Sequence, residues 1–270
     1  MSGIEILAKI AADLNLPKQI IDKGEKAIKA VFGPSIKEFS ETLGDTFKLR
    51  RFKNQVKILT KAESILNEHK INPKKVDLKI LVPLLENCSL EEDELLQDRW
   101  ANLIFNVVTI EGRTMLKQNC IDTLKKITND EAIFMDVLYK NIVQQRIERF
   151  ERLKHLKQFA SKKNPEDYQL HGFSIPIETI AGLLNRQRDE IELTISNLFA
   201  LGLVKWETEV EVVSAKSKSS STDWLGNKIH NDWIFGGDDS TKIEIDLDVY
   251  DSEKIKITKL GFEFVQMCKE

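Results

Sequence analysis

The sequence has few of the residues that characterise secreted, fibrous or membrane-spanning proteins. It holds 3 cysteines, 6 prolines and 12 glycines in 270 residues, too few for a disulfide framework, a collagen-like repeat or a low-complexity chain. Its apolar runs, such as residues 80–85, fall far short of the ~18 residues that a membrane-spanning helix needs. The first residues show no basic segment followed by an apolar core, so we expect no export signal. An odd number of distant cysteines then predicts a protein of the reducing cytoplasm.

The sequence also lacks the motifs that mark common catalytic and metal sites. It contains no phosphate-binding loop, nucleophile turn or dinucleotide fingerprint. Its 4 histidines are isolated and lack the spacing of metal ligands. The carboxylate cluster 91–94 with Asp98 is explained by the positive end of a helix dipole. We therefore predict a protein that is not an enzyme and uses neither a metal nor a cofactor, with a nuclease-like effector of unknown site as an alternative.

Charge is unevenly distributed along the chain. Residues 1–115 hold 18 basic and 17 acidic side chains, residues 116–164 hold 11 and 6, and residues 165–270 hold 11 and 20. We predict three parts with these limits: an α-helical domain, long basic connecting helices and a C-terminal domain. The acidic last third is a poor binder of polyanions, because phosphate contacts supply most non-specific affinity for nucleic acid.

The first two parts have the pattern of amphipathic helices. Apolar residues recur at helical spacing up to about residue 70, and Gly33-Pro34 should end one helix and begin another. A short helix is predicted over 78–86. Two capping boxes, Ser89-Leu-Glu-Glu92 and Thr128-Asn-Asp-Glu131, should begin further helices, the second running to about residue 160.

The last part changes from helix to alternating strand patterns. Helices are predicted over 177–184 and 187–200, strands over 204–212, 243–249 and 254–258, and a closing helix from residue 260. This order is that of a winged helix-turn-helix with a long wing around 216–239. The overall prediction is a mainly α fold with a C-terminal α+β winged helix. The predicted winged-helix core is Ile191, Ile195, Leu198, Phe199, Val204, Ile257, Leu260 and Phe264.

Three stretches, residues 33–54, 78–102 and 257–265, resemble the Abi-alpha family of bacterial proteins, also described as the DUF4393 domain. The middle stretch is the most specific, with its Pro-Leu-Leu-Glu, Ser-Leu-Glu-Glu-Asp and Trp-Ala-Asn runs. The resemblance implies a role in abortive infection, a form of phage defence, and carries over no catalytic residues. The positions that carry it are Gly33, Pro34, Asn54, Pro83, Glu91, Glu92, Trp100 and Asn102.

Basic residues form the candidate nucleic-acid contacts. They are Arg50, Arg51, Lys53 and Lys57 in the family-like region, Arg186 and Arg188 at the predicted recognition helix, and a basic run over 146–163. The competing interpretation is a solvated face or pairing with acidic residues, including 91–98. Asp189, Glu190 and Glu192 lie on the recognition helix and oppose a DNA function. We therefore favour binding to a phage or host protein, with a DNA-binding regulator as the alternative.

An apolar stripe runs along the N-terminal helices opposite several lysines. Its members are Ile20, Ile21, Ile28, Val31, Phe32, Ile36, Phe39, Leu43 and Phe47. Such a stripe is expected to be bundle core beneath helices over 78–108. The alternative is release onto the anionic inner membrane, which would kill the host without catalysis. The sequence leaves the oligomeric state open.

Overall fold

The computed structural model describes residues 18–33, 49–155, 164–218, 221–222, 228–229 and 242–269. The fold is mainly helical with a small three-stranded antiparallel sheet. Contacts divide the chain into one compact unit of residues 1–205 and 256–270 and a second of residues 206–255. The three parts proposed from composition stay a prediction about folding units.

The helices and strands are defined by backbone hydrogen bonds. The helices are α1 (Lys18–Phe32), α2 (Leu49–His69), α3 (Leu78–Cys88), α4 (Glu94–Thr109), α5 (Thr114–Leu124), α6 (Asn129–Leu153), α7 (Ile177–Leu184), α8 (Arg188–Ala200) and α9 (Lys259–Cys268). The strands are β1 (Ile175–Pro176), β2 (Val204–Lys218), β3 (Ser221–Thr222), β4 (Lys228–Ile229) and β5 (Lys242–Ile257). The larger sheet has the order β1-β5-β2, and β3 pairs antiparallel with β4, with Ser221 opposite Ile229.

The first unit has a core drawn from both ends of the described chain. Helix α1 packs along α2, α2 packs against α4, and α9 packs against α4, α5 and α6. Phe32 of α1, Trp100 of α4 and Phe264 of α9 are each less than 2% exposed. The C-terminal helix therefore completes a core that the N-terminal helices begin.

The apolar stripe of α1 is buried. Ile28, Val31 and Phe32 are at most 2% exposed, as expected for bundle core. The covering helix is mainly α2, with a smaller contribution from α4, so the prediction that helices over 78–108 cover it was only partly right. The side chains of Ile20 and Ile21, and residues 36–47, lie outside the described residues. Among the helices described here, none combines the length and apolar character needed to cross a bilayer.

Several helix limits follow the predicted local signals. Helix α1 ends at Phe32, before Gly33-Pro34, although Pro34 itself lies outside the described residues. The capping box at Thr128 is confirmed, with Glu131 accepting from the Thr128 backbone N–H at 2.6 Å. Helix α7 covers the predicted residues 177–184. Gly202 ends α8 with a φ of +72°, and Leu203 N–H donates to the Leu198 carbonyl at 2.9 Å.

The predicted capping box at Ser89 is wrong. Helix α4 begins at Glu94, and the carboxylate of its N-cap residue Asp93 accepts the Leu96 N–H at 3.0 Å. The Ser89 hydroxyl instead donates to the Glu86 carbonyl at 2.7 Å. Residues 89–93 therefore form a five-residue connection between α3 and α4. Asp is as strong an N-cap as Ser, and Asp93 lies nearer the apolar stripe of α4.

Three other predictions needed correction. Residues 243–249 and 254–258 were predicted as two strands, but β5 runs without a break to Ile257. Of the predicted core, Phe199 is 52% exposed, because it lies about 100° around α8 from the buried Leu198. Leu260 is only half-buried. The other six predicted core residues, Ile191, Ile195, Leu198, Val204, Ile257 and Phe264, are buried. Helix α6 was predicted to run to about residue 160 but ends at Leu153, with Lys154 as its C-cap, and residues 156–163 lie outside the described residues.

Candidate functional site

The basic residues of α2 face the acidic beginning of α4. Lys57 Nζ lies 3.2 Å from Glu94 Oε1, and Lys61 contacts both Glu94 and Asp98. The predicted pairing of this basic run with residues 91–98 is confirmed for these two lysines. Arg51 is half-buried and Lys53 is exposed, whereas the side chain of Arg50 lies outside the described residues.

The arginines of the predicted recognition helix are held by carboxylates. Arg186 lies 2.9 Å from Asp130 and 3.5 Å from Glu190. Arg188 lies 3.0 Å from Glu178 and 2.7 Å from Glu192. A phosphate that used either guanidinium would therefore compete with two carboxylates. The structure places Arg186 two residues before α8 and Arg188 at the first residue of α8, and the ion-pair partners given for them differ from Glu94, the partner of Lys57.

The surface around α7 and α8 carries exposed apolar side chains. Leu193 is 74% exposed, Leu183 is 56% exposed and Phe199 is 52% exposed. Leu193 also lines a surface cavity of about 370 Å³, and Asp130, Arg186 and Glu190 are among its polar lining residues. We call the set Leu183, Asp189, Glu190, Glu192, Leu193 and Phe199 the acidic apolar surface.

Two residues of the basic run on α6 have structural partners. Arg146 is buried, donates to the backbone carbonyls of Pro165 and Glu166, and lies over the Phe262 ring. The Arg149 guanidinium lies 5.4 Å from the ring centres of Tyr168 and Phe173. These contacts fix the segment that leads into β1, so neither arginine is simply a solvated charge.

The family-like positions surround the loop between α3 and α4. Asn54 Nδ2 donates to the Ser89 carbonyl at 3.4 Å, and Gln97 Nε2 donates to the Glu91 carbonyl at 3.0 Å. The Asn102 carbonyl accepts from Asn106, whose amide also reaches Met267 of α9 at 3.0 Å. These residues hold the loop and the helices around it in place.

The remaining family-like positions have differing environments. Pro83 lies inside α3, where its carbonyl accepts from Asn87 at 2.7 Å. Trp100 is 1% exposed, whereas Glu92 and Gly33 are exposed.

Sequence reasoning missed a buried polar pair. Arg99, 4% exposed, lies 2.7 Å from Asp136 and donates to the Ala132 carbonyl at 3.2 Å. The sequence did contain a signal for this pair, because Arg99 lies within the apolar stripe of α4. An arginine at a buried position requires a buried partner. The pair ties α4 to α6.

The three cysteines are buried thiols. Burial raises the pKa of the Cys120 thiol to about 12 and raises the pKa of Cys88 and Cys268 above the ordinary range. Within the part of the chain that the structure describes, no group of three or more His, Cys, Asp or Glu side chains is arranged to hold a metal ion.

Comparison with known proteins identifies a family. No curated protein and no solved structure matches the chain significantly. The model of the family described as abortive infection alpha matches residues 48–268, which include two of the three stretches that carried the resemblance and most of the structure described above. The chain belongs to the abortive infection alpha family.

Proposed function

We propose that this protein acts in phage defence by binding a protein partner through the acidic apolar surface. The family supports the defence role. The observation that carries the binding role is Leu193, a large apolar side chain that is 74% exposed at the centre of α8. Asp189 and Glu190, four and three residues before Leu193, are its neighbours on the surface of α8, and an apolar side chain bordered by charged ones is found at protein interfaces.

The outward face of α8 supports a protein partner over DNA. Asp189, Leu193, Ser196 and Ala200 recur at intervals of three or four residues, and all are exposed. In a winged helix, which we propose for α7, α8, β2, β5 and α9, this face would enter the major groove. It offers one carboxylate and no cation, whereas base readout depends on Arg, Lys, Asn and Gln.

The charge of the surface indicates the chemistry of the partner. Residues 165–270 hold 20 acidic and 11 basic side chains, and the two arginines nearest the surface are each paired with two carboxylates. We propose that the partner, from phage or host, presents an apolar side chain flanked by Lys or Arg. Such a surface would be steered to this one by complementary charge.

The proposal is for action by binding rather than by catalysis. Its support is that Lys57 and Arg188 pair with neighbouring carboxylates and that Arg146 donates to a backbone carbonyl. For α1, whose apolar face lies against α2, we propose a core role in place of membrane-directed killing.

A phage-plating experiment tests the proposed surface. Cells carrying the wild-type chain, Leu193→Asp or Met115→Asp are challenged with a broad phage panel. Met115 of α5 is the matched control, because it is also 74% exposed and lies outside the acidic apolar surface. We expect Leu193→Asp to lose protection while Met115→Asp retains it at equal protein levels, since a charge at the centre of an apolar contact is left desolvated.

Two results would favour an alternative. Full protection by Leu193→Asp would exclude this surface. Purified protein that shifts phage DNA with a steep salt dependence, and loses the shift in Arg186→Ala or Arg188→Ala, would restore the DNA-binding regulator.

A further inference from the structure

Arg146 of α6 is a buried cation without an anionic partner. The residue is 7% exposed. Its Nε and Nη2 donate to the backbone carbonyls of Pro165 and Glu166, and no carboxylate of the described residues pairs with it. Buried charges are normally paired, because an unpaired charge is costly to remove from water. The guanidinium therefore lacks a counter-ion, which an anionic ligand would supply.

One nitrogen of the Arg146 guanidinium is open to a ligand. Nη1 has no hydrogen-bond acceptor among the described residues, yet it is not sealed from solvent. The Phe262 ring covers one face of the guanidinium, with its centre 5.5 Å from Arg146 Cζ. Because the ring and the two carbonyls hold the group in place, Nη1 is a fixed and accessible donor.

Arg146 lines a cavity together with two exposed lysines. This cavity, which we call the Arg146 cavity, has a volume of about 690 Å³, within the range of about 300–1,000 Å³ that is usual for small-molecule sites. Lys205 and Lys259 also line it, and both are exposed and form no ion pair with the described residues. Lys259 is the first residue of α9, and a helix N-terminus adds about half a positive charge.

The carboxylates of the Arg146 cavity do not cancel its cations. The acidic residues that line it are Glu166 and Glu263. Glu263 Oε2 lies 2.7 Å from Arg113, so its charge is balanced by a cation that does not line the cavity. Arg146, Lys205 and Lys259 are then opposed by Glu166 alone. Three positive charges against one negative charge leave an excess of two.

We propose that the Arg146 cavity binds a phosphomonoester with an apolar substituent. A phosphomonoester carries up to about two negative charges at pH 7, which matches the excess, whereas a carboxylate carries one. Its oxygens accept charge-assisted hydrogen bonds from guanidinium and ammonium groups. Leu170, half-buried at the cavity, offers apolar area for the substituent, and Ile257 adds to the apolar lining. The site does not depend on the acidic apolar surface, since the two share no residue.

Calorimetric titration of the full-length protein tests the proposed ligand chemistry. The probes are phenyl phosphate, benzoate, inorganic phosphate and benzyl alcohol, which vary the charge of the anion and the presence of the phenyl group. We expect phenyl phosphate to bind most tightly, and to shift the backbone amide signals of Lys259 and Leu260 at the start of α9 in a ¹H–¹⁵N spectrum. No binding of phenyl phosphate, or equal binding of any other probe, would overturn the proposal.

Lysine variants test the location of the site without removing Arg146, whose contacts also hold residues 165 and 166. Lys205→Gln and Lys259→Gln should each weaken phenyl phosphate binding about tenfold, as loss of a hydrogen bond to a charged group does. Lys140→Gln is the control, because Lys140 is an exposed lysine of α6 outside the cavity. It should bind phenyl phosphate like the wild-type protein. Unchanged binding in both cavity variants, or an equal loss in Lys140→Gln, would show that the phosphate is not held in this cavity.

Discussion

At the scale of single residues, burial decides how much a charged side chain contributes to the free energy of unfolding. Arg99 and Lys61 both pair with an aspartate, but the Arg99 side chain is 5% exposed and that of Lys61 is 27% exposed. Removing one partner of a buried pair leaves the other desolvated and unpaired, whereas an exposed aspartate is solvated by water. The two pairs therefore differ in energy although both join α4 to a neighbouring helix.

Replacement of these two cations tests that difference. We expect Arg99→Ala to lower the free energy of unfolding by about 3 kcal/mol, because Asp136 and the Ala132 carbonyl lose their donor. Lys61→Ala should change it by less than about 1 kcal/mol. Urea unfolding followed by circular dichroism measures both. Equal effects would contradict the assignment of Arg99–Asp136 as a buried structural pair.

The three thiols should be unreactive in the folded protein. Burial raises the pKa of Cys120 to about 12 and raises those of Cys88 and Cys268, and the thiolate is the reactive form. At pH 8 we expect slow alkylation by iodoacetamide in buffer and complete alkylation in denaturant. Since the folded pKa values exceed the unfolded value of about 8.5, stability is retained below that pH and falls as the pH rises above it. Rapid native alkylation of any thiol would show that its helix opens.

At the scale of elements, the sequence predicted some helix starts and misplaced others. Helix α7 was predicted correctly from the apolar residues of 177–184, and the Thr128 capping box from the three-residue spacing of Thr128 and Glu131. The beginning of α4 was misplaced because Ser89 and Asp93 both fit an N-cap, and only tertiary contacts select Asp93. Phe199 shows a second limit of sequence-based prediction. Its apolar character alone does not tell whether it lies on the buried or the exposed face of α8.

Gly261 illustrates how tertiary packing can reverse the helix-propensity preference for alanine over glycine. Alanine normally replaces glycine inside a helix with a gain of up to about 1 kcal/mol. A Cβ atom at Gly261 of α9 would lie 2.1 Å from the Leu203 carbonyl oxygen, so the backbone would have to move. We expect Gly261→Ala to destabilise the protein by about 1–3 kcal/mol.

The control is the same substitution in a helix with open space. Gly182→Ala in α7, where no described atom lies within 4 Å of the added Cβ, should be neutral or stabilising. Thermal unfolding of both variants gives the comparison. A Gly261→Ala protein as stable as Gly182→Ala would show that α9 does not approach Leu203 as closely as described.

At the scale of the whole molecule, the C-terminal helix α9 packs against helices from the middle of the chain. Asn106 of α4 donates to the Met267 carbonyl at 3.0 Å, and Arg113 lies 2.7 Å from Glu263. No local pattern predicts contacts between residues separated by about 150 positions. The sequence therefore predicted individual helices but not how they pack together. The acidic character of α8 could be predicted from its composition. The exposure of Leu193 could not, because it depends on what the neighbouring helices leave uncovered.

The unit of residues 1–205 and 256–270 should fold without the segment between them. Thr258 N–H donates to the Leu203 carbonyl at 2.9 Å, and the Thr258 hydroxyl reaches the Gly202 carbonyl at 2.7 Å. The chain ends left by removing residues 206–255 therefore lie close enough for a short Gly-Ser linker, whose closure costs little entropy. We expect the shortened protein to unfold in one cooperative transition within about 4 °C of the full chain, the shift that ~1 kcal/mol produces at this size. Calorimetry measures this. A melting temperature lower by much more, or two separate transitions, would show that residues 206–255 are part of the same folding unit.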